Sequence, residues 1–146
     1  MTQAKTTGGC LCGAVRYQIL SDLQGIACCH CSKCRRFHGN FAAYAIMPLA
    51  SLKIVEERGL KWFRSETDET PNVHRGFCSE CGSSLFWDPR GEDRIAVSAG
   101  SLDEPTNLQI LGHSWVSQKG DYYEIHDDMP KYVEGWGKSE KIRLGD

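Results

Sequence analysis

Val15, Tyr17 and Ile19 alternate with Arg16 and Gln18, the period-2 pattern of a strand with one buried face. The glycine-flanked stretch 8–19 is therefore predicted to be β structure, and in a strand Cys10 and Cys12, two apart, point to the same side. Residues 24–29 read as a short strand, and residues 41–47 as another, stopped by Pro48. Residues 52–55 and 60–63 suggest two more strands around a turn at 56–59. Ser32 suits the N-cap of a short helix through His38, which Gly39 and Asn40 would end. The acidic, turn-rich stretch 65–72 reads as a loop. Residues 84–87 and 94–98 read as core strands bridged by a turn at 88–91, and residues 107–115 as a further strand. The tail from Tyr122 mixes aromatic and acidic residues, with Pro130 breaking any long helix. The pattern predicts a mainly β single domain with one or two short helices and no internal repeat.

A chain of 146 residues is long enough to bury a proper core as one domain. Its net charge of −2 argues against a dedicated nucleic-acid binder. No apolar run approaches the roughly 18–20 residues of a membrane span. Residues 1–7 carry no apolar segment of a secretory signal, so the chain reads as cytoplasmic. Eight cysteines change the picture. They fall into three short-spaced groups (Cys10 and Cys12; Cys28, Cys29, Cys31 and Cys34; Cys78 and Cys81), and none follows. Cytosolic thiols stay reduced, and such clustering points to metal binding rather than to a disulfide framework.

Cys78-Ser79-Glu80-Cys81-Gly82 has the shape of a zinc knuckle, with a glycine free to take positive φ. Cys10 and Cys12 with Cys78 and Cys81 make a four-thiolate set. Pairing Cys10 and Cys12 with Cys31 and Cys34 would close a tetrahedral site equally well, and spacing alone does not choose. Cys29, Cys31 and Cys34 are three thiols of one kind, one short of the four that close a structural zinc site, and a catalytic zinc keeps such a position open. Lys33, Arg35 and Arg36 crowd the cluster, either as cations acting on it or as solvated charges on a short helix. Cys28 reads as a small buried hydrophobe, and His30, between two ligands, as pointing away from a metal. His38 and His113 read as structural. Trp62, Trp87, Trp115, Tyr122 and Tyr123 read as core packing unless they line a cleft.

The ordered motifs C-x-C-G, C-H-C-x-x-C-R and F-C-x-x-C-G-S resemble the glutathione-dependent formaldehyde-activating enzyme family, which includes the centromere-protein-V-like proteins. The resemblance runs from about residue 8 to about 132. It implies a zinc-stapled, β-tent-like fold holding two zinc ions. One is structural, on Cys10, Cys12, Cys78 and Cys81. The other is catalytic with an open position, on Cys29, Cys31 and Cys34. The implied activity is that of a carbon–sulfur lyase making S-(hydroxymethyl)glutathione from formaldehyde and glutathione. Lys33, Arg35 and Arg36 would then attract the carboxylates of glutathione. The partners expected are a small-molecule thiol and an aldehyde, with no nucleic acid and no membrane. A non-catalytic zinc-stabilised binding module is the alternative. A methionine-sulfoxide-reductase-like enzyme would need a redox cysteine late in the chain, and none follows Cys81.

Overall fold

A computed structural model describes residues 3–65 and 72–136 and the backbone of residues 141–142. Twelve strands and one α-helix make the described chain mainly β. In chain order these are β1 (Thr6–Gly9), β2 (Arg16–Ile19), β3 (Ile26–Cys29), α1 (Ser32–His38), β4 (Ala42–Pro48), β5 (Leu52–Glu56) and β6 (Leu60–Ser65). There follow β7 (Val73–Cys78), β8 (Ser84–Pro89), β9 (Arg94–Ser98), β10 (Ile110–Ser114), β11 (Lys131–Tyr132) and β12 (Lys141–Ile142). Three single 3-10 turns complete the regular structure among the described residues. Most of the predicted 65–72 loop lies outside the described residues. No described helix is long and apolar enough to cross a membrane.

The chain forms two compact units, Met1–Gln24 with Ala45–Leu108 and Gly25–Tyr44 with Gln109–Asp146. In the first, β1, β2 and β5 form an antiparallel three-stranded sheet, and β6, β7, β8 and β9 form an antiparallel ladder. The alternation in β2 is realised: Tyr17 and Ile19 are fully buried while Arg16 and Gln18 are half-exposed. Tyr17 meets Phe86 edge-on at 5.4 Å, and its hydroxyl lies 2.6 Å from Ser101 Oγ. The strands around residues 56–59 do not form a hairpin with each other. β5 joins β2 and β6 joins β7.

The second unit is built on β3, which pairs antiparallel with β4 and parallel with β10. This register sets Cys28 beside His113 and Cys29 beside Ser114. β10 is shorter than the predicted 107–115 strand, and Asn107, at a positive φ of 56, stands in the left-handed region outside it. α1 runs as predicted, but its cap is Cys31 rather than Ser32. Gly39 at φ 88 ends it in the left-handed conformation that glycine adopts without strain.

Candidate metal and thiol sites

Two turns build the first thiol group. Cys10 and Cys12 sit in the tight turn between β1 and β2, not on a strand as their alternation predicted. Gly13, at φ 85, folds the chain back so that its N–H reaches the Cys10 carbonyl. The Val15 N–H then donates to Cys10 Sγ at 3.2 Å. In the turn after β7, the Gly82 N–H donates to the Cys78 carbonyl at 2.7 Å, with Gly82 at φ 81. Ser83 ties the turns together, its Oγ accepting the Leu11 N–H at 3.0 Å and lying 3.2 Å from Cys81 Sγ.

The Sγ atoms of Cys10, Cys12, Cys78 and Cys81 all lie within 4.8 Å of one another. Cys10 and Cys12 are 3.7 Å apart and Cys12 and Cys78 3.8 Å. Sulfurs at the corners of a tetrahedron around zinc stand about 3.8 Å apart, given a Zn–S bond of about 2.3 Å. The donor set therefore fits a tetrahedral zinc. The protons of the group also show the strain of crowding. Hydrogen bonds from the Ser83 side chain and backbone draw the Cys81 thiol down to about 5. Cys12 is pushed up to about 12, because desolvation and its three thiol neighbours outweigh the Ala14 N–H that favours its thiolate. Four thiolates at this spacing need a cation among them.

The second group is carried by β3 and α1. Cys28, fully buried, and Cys29 point to opposite faces of β3, as successive strand residues do. Cys31 stands in extended conformation at the N-cap, where its Sγ accepts the Cys34 N–H at 3.3 Å. The Sγ atoms of Cys29, Cys31 and Cys34 converge within 4.8 Å, and no described His, Asp, Glu or further Cys completes a fourth corner. Hydrogen bonds with Cys31 and Cys34 raise the Cys29 thiol far above its ordinary range. The rival pairing of Cys10 and Cys12 with Cys31 and Cys34 is not adopted.

Tyr44, beside the three thiols, and Asp127 carried no functional signal in the sequence. The buried Tyr44 hydroxyl lies 3.8 Å from Cys34 Sγ and 2.9 Å from His38 Nε2. Lys33 and Arg35 are half-buried and Arg36 is exposed. The Arg35 Nε is buried with no hydrogen-bond partner among the described residues. His30 is 1% exposed, and its Nδ1 lies 2.6 Å from the Tyr123 hydroxyl. Its Nε2 lies 2.9 Å from His113 Nδ1, and His113 Nε2 lies 2.8 Å from Asp127 Oδ2. Tyr123 also packs near Phe41, with ring centres 6.0 Å apart.

These features define a class: a mainly β protein with two convergent thiol groups, each able to hold a metal ion. The chain belongs to the glutathione-dependent formaldehyde-activating enzyme family, whose model matches residues 5–118. It is 31% identical over 126 residues to a Halomonas elongata protein named "Putative glutathione-dependent formaldehyde-activating enzyme", covering 81% of this chain and 79% of that one. It is 26% identical over 120 residues to a Schizosaccharomyces pombe protein named as an uncharacterized lyase, covering 81% and 83%. A crystal structure of a Rhodobacter sphaeroides protein superposes with a TM-score of 0.51 at 26% identity, over 71% of this chain and 98% of that one.

Proposed function

We propose that this chain is a zinc-dependent carbon–sulfur lyase of the cytoplasm that joins a glutathione-type thiol to formaldehyde, giving S-(hydroxymethyl)glutathione. The observation that carries the reading is the convergence of three thiols, Cys29, Cys31 and Cys34, with no fourth ligand among the described residues. The family's name and that of the Halomonas relative support the two substrates, and the name of the fission-yeast relative supports a lyase.

Cys10, Cys12, Cys78 and Cys81 would hold a structural zinc, and Cys29, Cys31 and Cys34 a second. That second zinc would supply a Lewis acid and an open position at which a substrate thiol loses its proton near neutral pH. The chain's own residues do the rest. The Tyr44 hydroxyl supports the Cys34 sulfur from behind. Arg35, whose buried Nε has no hydrogen-bond partner among the described residues, takes a carboxylate of the thiol substrate, and Lys33 and Arg36 raise the local concentration of that anion. In the reaction the thiol sulfur forms a bond to the aldehyde carbon, and the proton it loses ends on the former carbonyl oxygen. The reverse direction breaks the same C–S bond.

Metal analysis of wild type and Cys31→Ser, with exchange NMR of formaldehyde and glutathione, tests this. The expected result is two zinc ions per chain falling to one with the fold kept, and exchange faster than the uncatalysed background. A single tightly held zinc in wild type would break the assignment of ligands. Background exchange with both metals present would remove the enzyme reading in favour of a zinc-stabilised binding module.

A further inference from the structure

Of the three thiols in the second group, Cys31 lies in neither a strand nor the body of α1. The chain on either side of it is held by one segment of the same unit. The His30 N–H donates to the Ser114 carbonyl at 3.0 Å, and the Ser32 N–H donates to Oε1 of Gln118 at 2.9 Å. Ser32 carries the first amide of α1, which has no partner within the helix. Between these two bonds Cys31 is extended, at φ −63 and ψ 158. Gln118 reaches Ser32 because the chain bends sharply after β10. Trp115 takes the left-handed conformation, φ 55 and ψ 37, which is strained for a bulky residue, and leads into the 3-10 turn Val116–Gln118. Later residues tie the bend down. The Trp115 N–H donates to the Glu134 carbonyl at 2.8 Å, and Ser117 Oγ to the Val133 carbonyl at 2.7 Å. Further on, the Tyr122 hydroxyl donates to Oδ1 of Asn40 at 2.7 Å, just past the other end of α1.

We propose that Gln118 is a positioning residue for the three thiols: its acceptor fixes the peptide plane between Cys31 and Ser32, and with it the aim of the Cys31 sulfur towards Cys29 and Cys34. A helix of seven residues does not hold its own first turn. The Cys31 sulfur is also the cap of that turn, accepting the Cys34 N–H. One acceptor on the Ser32 N–H therefore keeps two of the three thiols in step. Gln118 is exposed, so its contribution is this bond rather than packing. The strained Trp115 is the bend that brings it there. The functional part of this inference rests on the reading of Cys29, Cys31 and Cys34 as the metal-holding reactive site.

Cobalt(II) titrated into the full chain, with zinc already in the four-thiol group, tests it through the thiolate-to-cobalt charge-transfer band. Gln118→Met keeps the length of the side chain and removes the acceptor. It should lower cobalt affinity by about threefold to tenfold, the worth of one ordinary hydrogen bond, with Tm and the zinc of the four-thiol group unchanged. Gln118→Glu keeps an acceptor and should restore most of the affinity. Tyr122→Phe removes a hydrogen bond at the far end of α1 and should bind cobalt like wild type. Wild-type affinity in Gln118→Met, or no recovery in Gln118→Glu, would overturn the proposal. So would an equal loss in Tyr122→Phe, or a loss shared by the four-thiol zinc, since either would mean that the fold as a whole is being held. The titration reads no turnover, so a failure to find exchange would sink the lyase reading and leave this one standing. A wild type that takes up no cobalt would sink both, whereas unchanged affinity in Gln118→Met sinks this one alone.

Discussion

The backbone of Gly59 lies against the sulfur of Cys78: a Cβ built at residue 59 would meet that Sγ at 2.6 Å and the Ala14 Cβ at 2.9 Å. The Gly59 N–H also donates to the Ala14 carbonyl, and its own carbonyl accepts the Ser79 N–H. Both turns of the four-thiol group are thus tied to one residue that has no room for a side chain. Gly59→Ala should cost about 1–3 kcal/mol by overpacking and weaken the hold on zinc. Gly91→Ala is the control, with open space around the Cβ and a φ of 97, and it should cost about 1–2 kcal/mol without touching the metal. Thermal melts and competition with a chromophoric chelator measure both. Equal chelator competition in the two variants would contradict the close contact.

Tyr44 offers a way to perturb the three-thiol group without removing a ligand. Tyr44→Phe keeps the ring of a buried residue and deletes the hydroxyl between Cys34 Sγ and His38 Nε2. We expect about 1 kcal/mol of lost stability and about a tenfold loss of zinc affinity or turnover at that group, the usual cost of removing a group that supports a ligand. Zinc titration followed by exchange NMR reads the result. Wild-type affinity and turnover would leave the hydroxyl with a packing role only.

Arg35→Gln separates recognition of the thiol substrate from chemistry on it. The KM for glutathione should rise by about tenfold, the worth of one hydrogen bond to a charged group. The KM for 2-mercaptoethanol, which has no carboxylate, should stay near its wild-type value. If both thiols weaken together, Arg35 holds the helix rather than the substrate.

Tyr17 predicts how the first unit behaves in alkali. Burial pushes its phenol up to about 12, against the opposing help of the Ser101 hydrogen bond. A folded-state pKa above the unfolded value means that the phenol's contribution is fully present below about pH 10 and is lost as pH rises towards 12. Two units correspond to about 3 kcal/mol. Urea titrations at pH 9, 10 and 11 should show wild type losing stability more steeply than Tyr17→Phe. Parallel slopes would mean that the phenol reaches solvent in the folded state.

Much of this architecture follows from local pattern. The alternation of Tyr17 and Ile19 places β2, Pro48 ends β4, and the helix from Ser32 to His38 stops at the glycine whose positive φ it requires. The three cysteine motifs, in order and with their spacings, are enough to mark the chain as a member of one family. Local pattern misplaced Cys10 and Cys12, because a glycine turn overrides an alternation only two residues long.

The sequence by itself determined which residues are chemically able to act: the thiols, the cations on α1 and the strands that carry them. Only the tertiary structure decided which of them meet. Spacing left two pairings open for Cys10 and Cys12, and the choice of Cys78 and Cys81 depends on where two distant turns are brought by their sheets. His30 and His113 are 83 residues apart and share no motif, yet the parallel pairing of β3 with β10 sets their rings in contact, and Asp127 then meets the second ring from a loop. A hydrogen bond has a range of about 3 Å, so its partners are set by strand register in space and not by position along the chain.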